Sequence, residues 1–174
     1  DDKSLYEDNM KVEVPKCFQL YDIGVFDKPL YSNLYYPFQV DPPFVPDENP
    51  CGLYTKKFTV TEEMSERKSI ITFEGVASCF YLFINNQFVG YSQVSHSTSE
   101  FDITKYLVEG DNEIVAVVFR WTNGSYLEAQ DMFRENGIFR DVLLHKYEKT
   151  YIYDYEAIPV KKGNKYNLNV KLDV

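Results

Sequence analysis

From Gly52 onward, apolar and polar residues alternate along much of the chain. Residues 53–60, LYTKKFTV, keep a period of two, which predicts a strand with one buried face. Residues 61–68, TEEMSERK, predict a polar turn. Residues 69–74 (SIITFE) and 79–84 (CFYLFI) are rich in β-branched and aromatic side chains, which suit a pleated surface. Asn85 and Asn86 separate CFYLFI from QFVGYS and can take positive φ, so they predict a hairpin turn. EFDIT (100–104) leads to a second turn, expected at Gly110, Asp111 and Asn112. The run EIVAVVFRW (113–121) is almost continuously apolar and predicts a strand buried on both faces. Residues 122–137 are polar and aromatic, punctuated by Gly124 and Gly137, and IFRDVLLHKY (138–147) reads as one more strand. No segment longer than about ten residues carries a helical period. Short strands divided by turns predict an all-β sandwich or barrel.

The two ends differ from this middle. Residues 1–10 are acidic and aperiodic and read as a loose tail. Residues 11–50 hold Pro15, Pro29, Pro37, Pro42, Pro43, Pro46 and Pro50, which exclude a central strand or a helix. The same stretch holds Phe18, Tyr31, Tyr35, Tyr36, Phe38 and Phe44, too apolar for a free linker. It predicts a long ordered loop packed on a scaffold, and such loops are usually functional. Residues 11–148 make one domain. Residues 149–174 alternate again around Lys162-Gly163-Asn164, as an edge hairpin or, preferably, as the start of a second β-sandwich domain.

Composition narrows the function. A hydrophobic fraction of 44% supports a core, and 17% aromatics supply both β-core and rings able to stack on sugars. The net charge of −9, with no Lys/Arg cluster, argues against nucleic acid and anionic membrane as partners. Cys17, Cys51 and Cys79 are odd in number and lack metal-clamp spacing, so reduced thiols are expected. No apolar run approaches a membrane span and no signal peptide is visible, although the chain starts with Asp1 rather than Met. A cytoplasmic location is expected, with the periplasm as the alternative.

Candidate chemistry is sparse. His145 sits in a strand-like run and His96 in the Ser/Thr-rich loop SQVSHSTSE, so neither suggests a nucleophile or zinc site. Glu128 and Asp131, in YLEAQDMFREN, could bind sugar or a cation; equally, they could be solvated or paired with Arg120, Arg134 or Arg140. Asn123-Gly124-Ser125 fits a glycosylation sequon, and an Asn-Gly turn explains it as well.

Three longer blocks point further. YSNLYYPFQVDPPFVPDENPCGLY, FEGVASCFYLFINNQFVGYSQVSHSTSEFDIT and RWTNGSYLEAQDMFRENGIFRDVLL, spread over residues 14–145, resemble in order the amino-terminal domain of β-galactosidases of glycoside hydrolase family 2. The resemblance implies a jelly-roll, galactose-binding-like β-sandwich, followed in the parent by an immunoglobulin-like domain, a TIM barrel and further β domains. It implies that Asn33 hydrogen-bonds a galactose hydroxyl and that Asp131 binds a sodium ion and the sugar's 6-hydroxyl. It also implies that magnesium and the two catalytic glutamates belong to residues outside this chain. The parent would be a retaining hydrolase of terminal β-D-galactosides such as lactose and a homo-oligomer; this chain alone would have no turnover. Departures exist. Phe18 and Phe133 stand where the family commonly has Trp, and Ala129 where it commonly has an acid. The chain starts after an earlier strand common in the family, which predicts a sandwich that lacks its first strand or supplies it otherwise; an exposed edge would invite pairing between chains.

Two rival readings remain beside an enzyme's accessory domain. One is an autonomous carbohydrate-binding module with a platform of Tyr31, Tyr35, Tyr36 and Trp121. The other is a purely structural interaction domain.

Overall fold

The computed structural model describes residues 10–21, 28–32, 34–65, 67–128 and 131–174. Two antiparallel sheets form the body. In the larger, the spatial order is β3 (Cys51–Val60), β9 (Gly110–Phe119), β6 (Cys79–Ile84) and β7 (Gln87–Ser92). The smaller runs β12 (Val142–Tyr147), β4 (Lys68–Phe73) and β8 (Ser99–Asp102). A further small sheet joins β1 (Lys16–Cys17), β11 (Gly137–Ile138) and β5 (Val76–Ala77). β2 (Leu30–Tyr31) pairs with β10 (Phe133–Arg134), and β13 (Asp154–Lys162) pairs with β14 (Lys165–Asp173). The fold is an all-β sandwich. No helix among the described residues is long and apolar enough to cross a membrane.

The core follows from strand alternation. Ile71 and Phe73 on β4 face Phe80, Leu82 and Ile84 on β6 and Ala116 and Val118 on β9. Phe73 and Phe80 meet with ring centroids 4.7 Å apart, and the Phe101 ring closes on both. Each such buried ring contributes about 2–3 kcal/mol of apolar burial. Phe101 lies directly over Gly90, where an added Cβ would sit 2.6 Å from the ring. Asn85 and Asn86 take the expected positive φ, 50° and 62°, in the turn joining β6 to β7.

Several expectations are corrected. β9 is not buried on both faces: Ala116 and Val118 enter the core, while Val115, Val117 and Phe119 are only half-buried on the outer face. The turn expected at Gly110–Asn112 comes earlier. β9 already begins at Gly110, and buried Asn112 holds the turn from within the strand, accepting from Val108 N–H (2.9 Å) and donating to Val108 C=O (2.7 Å). The single strand expected over 138–147 is two, β11 and β12, in different sheets. The chain changes sheet at Phe139–Asp141, where Phe139 N–H reaches Gly75 C=O at 3.2 Å and Glu74 N–H reaches Asp141 C=O at 3.0 Å. Within the polar 61–68 segment, Glu62–Ser65 closes one helical turn, α1, with Glu62 and Glu63 at its positive amino end.

Two glycines separate backbone strain from crowding. Gly137 has φ +121°, and a Cβ there would lie 2.7 Å from Tyr54 Oη and 2.9 Å from Phe18 N. Gly110 has φ +90°, with nothing within 4 Å of such a Cβ. Gly110→Ala is expected to cost about 1 kcal/mol, from the dihedral alone. Gly137→Ala is expected to cost about 3 kcal/mol or more, because backbone must also move. Urea denaturation of the two variants checks the order; equal losses would remove the crowding explanation.

Candidate functional site

Beyond the two-residue strands β1 and β2 the proline-rich segment has little ladder, and side chains satisfy much of its backbone. Asn49 acts as a clamp: its Nδ2 donates to Trp121 C=O and its Oδ1 accepts from Trp121 N–H, both at 2.8 Å. Tyr126 does the same from the opposite loop. Its hydroxyl donates to Phe44 C=O at 2.6 Å and accepts from Asp41 N–H at 3.1 Å. Tyr36 Oη returns a bond to Tyr126 C=O at 2.6 Å. The rings of Tyr36, Phe38, Trp121 and Tyr126 interlock, with Phe38 and Trp121 at 5.0 Å. Loop 28–50 is thereby laced to loop 120–136.

A second set of bonds ties loop 120–136 to the sandwich. Gln19 Oε1 accepts from Asn136 N–H at 2.8 Å, and Gln19 Nε2 donates to Asn136 Oδ1 at 2.9 Å. Asn136 Nδ2 then donates to Arg120 C=O at 2.9 Å. Arg134 is buried and donates to Ser125 C=O at 3.2 Å. Glu128 accepts from Ser95 N–H (3.1 Å) and from the Ser95 hydroxyl (2.7 Å). Both carboxylate oxygens of Glu128 are thus engaged by Ser95. Glu128 pins its loop to residues 93–97.

Asp131 lies exposed in this loop. The short pairing of β2 with β10 sets Tyr31 opposite Phe133, with their rings edge to face at 5.8 Å. Tyr31 Oη then donates to Asp131 Oδ1. That hydrogen bond, with minor contributions from desolvation and the carboxylate charge, raises the phenol's pKa above its ordinary value. The phenol accordingly stays protonated, and stays a donor, across the neutral range. Among the described residues, Asp131 Oδ2 has no partner. Asp131 lines neither of two cavities, of about 830 and 390 Å³, formed nearby. It stands on open surface beside them. Asn33 lies outside the described residues.

The aromatic platform does not form as a unit. Trp121 is only 7% exposed, with the Arg120 guanidinium 4.4 Å from its ring centre, and the Tyr36 hydroxyl is engaged. Tyr31 and Tyr35 alone of the four are exposed. His96 is exposed and 5.4 Å from the Phe139 ring, and among the described residues no hydrogen bond joins its imidazole to a carboxylate or a serine. Among the described residues no three His, Cys, Asp or Glu side chains gather closely enough to hold a metal by themselves. Sequence reasoning missed Tyr31 as Asp131's partner and Glu128 as a clamp. Both contacts span long sequence separations that periodicity does not report.

The family profile described as "Glycosyl hydrolases family 2, sugar binding domain" matches residues 2–148. The β-galactosidase of Actinobacillus pleuropneumoniae is 48% identical over 145 residues, covering 83% of this chain and 14% of the relative. That of Pseudoalteromonas haloplanktis is 48% identical over 157 residues, covering 90% of this chain and 15% of the relative. The chain thus spans about a seventh of the length of the curated relatives it matches. Among solved structures, a β-glucuronidase from an uncultured Clostridium species superimposes with a TM-score of 0.62 at 20% identity, over 73% of this chain and 24% of that one. A Bacteroides uniformis β-glucuronidase described as a calcium-binding mutant gives 0.59 at 18% identity, over 69% of this chain and 16% of that one. At those identities the likeness speaks for the fold, and the profile for the lineage. The chain belongs to the family of sugar-binding domains of the family 2 glycosyl hydrolases.

Proposed function

We propose that this chain is the sugar-binding domain of a longer β-galactosidase, where it supplies one side of the galactoside site. The observation that carries the reading is the hydrogen bond from Tyr31 to Asp131, which orients an exposed carboxylate on a loop laced to the rest of the site. In the complete site, Asp131 would accept from the sugar's 6-hydroxyl and offer an oxygen to sodium, a hard cation that prefers oxygen ligands. The free Oδ2 fits one place in such a shell. The remaining ligands would come from other parts of the polypeptide. Asn33 would add an amide able both to donate to and to accept from a sugar hydroxyl. The retaining glutamates and magnesium would belong to a barrel domain in the same polypeptide.

Residues 149–174 fit the opening of a second β-sandwich. β13 and β14 pair only with each other among the described residues. One face of the hairpin carries Tyr155 opposite Leu172 and Pro159 opposite Leu168, and its Tyr and Leu side chains are exposed. A lone two-stranded hairpin is marginal in water, so this face calls for a covering layer. A reducing compartment, the cytoplasm, suits the three free thiols of Cys17, Cys51 and Cys79.

Two substitutions in the complete polypeptide test the site. Asp131→Asn keeps the shape and removes the charge; KM for a β-galactoside should rise at least tenfold and the response to sodium should disappear. Unchanged KM and sodium response would refute the role. Tyr31→Phe keeps the ring and removes the donor. Because it leaves Asp131 charged but unaligned, the sodium concentration for half-activation should rise severalfold while saturating sodium restores activity. If saturating sodium fails to restore activity, Tyr31 is not acting through the cation.

A further inference from the structure

The outer face of the β3-β9-β6-β7 sheet is unusual for an antiparallel sheet, whose solvent face is normally polar. In the β-ladders, Tyr91, Tyr81, Val117 and Leu53 line up in one row across all four strands. Phe88 and Phe83 lead the next row, over Val115. Tyr81 gathers the rings of Tyr91 (4.8 Å), Phe119 (5.9 Å) and Phe88 (6.2 Å) around it. Phe88 is 54% exposed and Leu53 51%. The other half of the same face is polar, with Lys57 opposite Glu113 and Thr59 bonded to Asp111. The apolar half is the one from which β9 runs through Arg120 and Trp121 into the Asp131 loop, and into which loop 28–50 feeds β3 at Cys51.

Three occupants are conceivable, and size and shape choose among them. Four strands at about 4.8 Å spacing and some five residues of length cover roughly 300 Å², a patch at the lower end of the size that marks interaction sites. A stable dimer of separate chains buries about 800 Å² per partner, so this patch alone falls short. Contacts between tethered domains are smaller, because the tether supplies effective concentration. A sugar polymer would need parallel, open ring faces; here the rings around Tyr81 are inclined by 45° to 76° to its plane. We propose that this aromatic half-face seats a second domain of the same polypeptide, the one that also closes over the Asp131 loop. This rests on the proposed function, in which the chain is one domain of a longer enzyme.

Hydroxyl-radical footprinting of the 174-residue chain and of the complete polypeptide tests it. Tyr81, Phe88 and Tyr91 should label freely in the chain alone, which has its own core, and at least fivefold less in the complete polypeptide. Leu127, exposed in the site loop, should be protected with them, while Val108, at the opposite end of β9, should not change. Phe88→Lys alters an exposed position and leaves the core intact; in the complete polypeptide it should restore labelling of Tyr81 and Leu127 together. Equal labelling of the three rings in both forms overturns the proposal. So does recovery of Tyr81 without Leu127, which would mean separate covering bodies, or a chain that alone sediments as a dimer with protected rings. Galactoside hydrolysis by the same complete polypeptide is scored separately. Protection without hydrolysis supports the seat and sinks the functional reading; hydrolysis without protection does the reverse.

Discussion

A chain that leaves its sheet does not lose its need for hydrogen-bond partners, and this domain is shaped by how that need is met. Two long irregular loops carry the candidate site, and the longest ladder between them among the described residues is the two-residue pairing of β2 with β10. Asn49, Tyr126, Gln19 and Asn136 take the ladder's place, each bonding backbone groups far away in sequence. A neutral bond of this kind is worth about 1 kcal/mol net, and an unmet buried amide costs more than that. The interlocked rings of Tyr36, Phe38, Trp121 and Tyr126 exclude water from the same seam. The rigidity of the site is therefore borrowed from side chains rather than from strands.

This explains what was legible in the sequence. β3, β4, β6 and the β6–β7 turn could be read because period-two burial and Asn-Asn turn chemistry are local properties. The break between β11 and β12 could not, because IFRDVLL has apolar residues on both sides of Arg140 and Asp141 and no glycine or proline to mark it. What divides it is a distant glycine, Gly75, whose carbonyl takes two amides and whose missing Cβ leaves room for the Phe139 ring. β9 misled for a related reason. A continuous apolar run reports two apolar faces, and it says nothing about whether both are covered within the same domain.

The site was legible to a different degree. The family resemblance singled out Asp131, and nothing in the local sequence separates it from Glu128 three residues earlier. The structure separates them by partner. Glu128 spends both carboxylate oxygens on Ser95 and becomes part of the scaffold. Asp131 gives one oxygen to Tyr31 and is itself exposed. Trp121, a natural choice for a sugar platform, is instead buried beneath Arg120. An aromatic residue in a suspected sugar site is as readily the fastener of a loop as its binding surface.

An exposed, oriented carboxylate also fits the logic of a site built at a seam between domains. In water its attraction for a cation is weak, about 1 kcal/mol for a contact at 4 Å, and rises severalfold as solvent is excluded. A carboxylate left at the surface of a folded domain therefore costs little to keep charged, and gains its strength only when a neighbour closes over it. The aromatic half-face beside the same loops has the complementary property, since apolar surface is unfavourable in water and favourable once covered. Placing the two side by side couples them. The burial that drives a neighbouring domain onto the sheet would supply the desolvation that makes Asp131 a strong ligand.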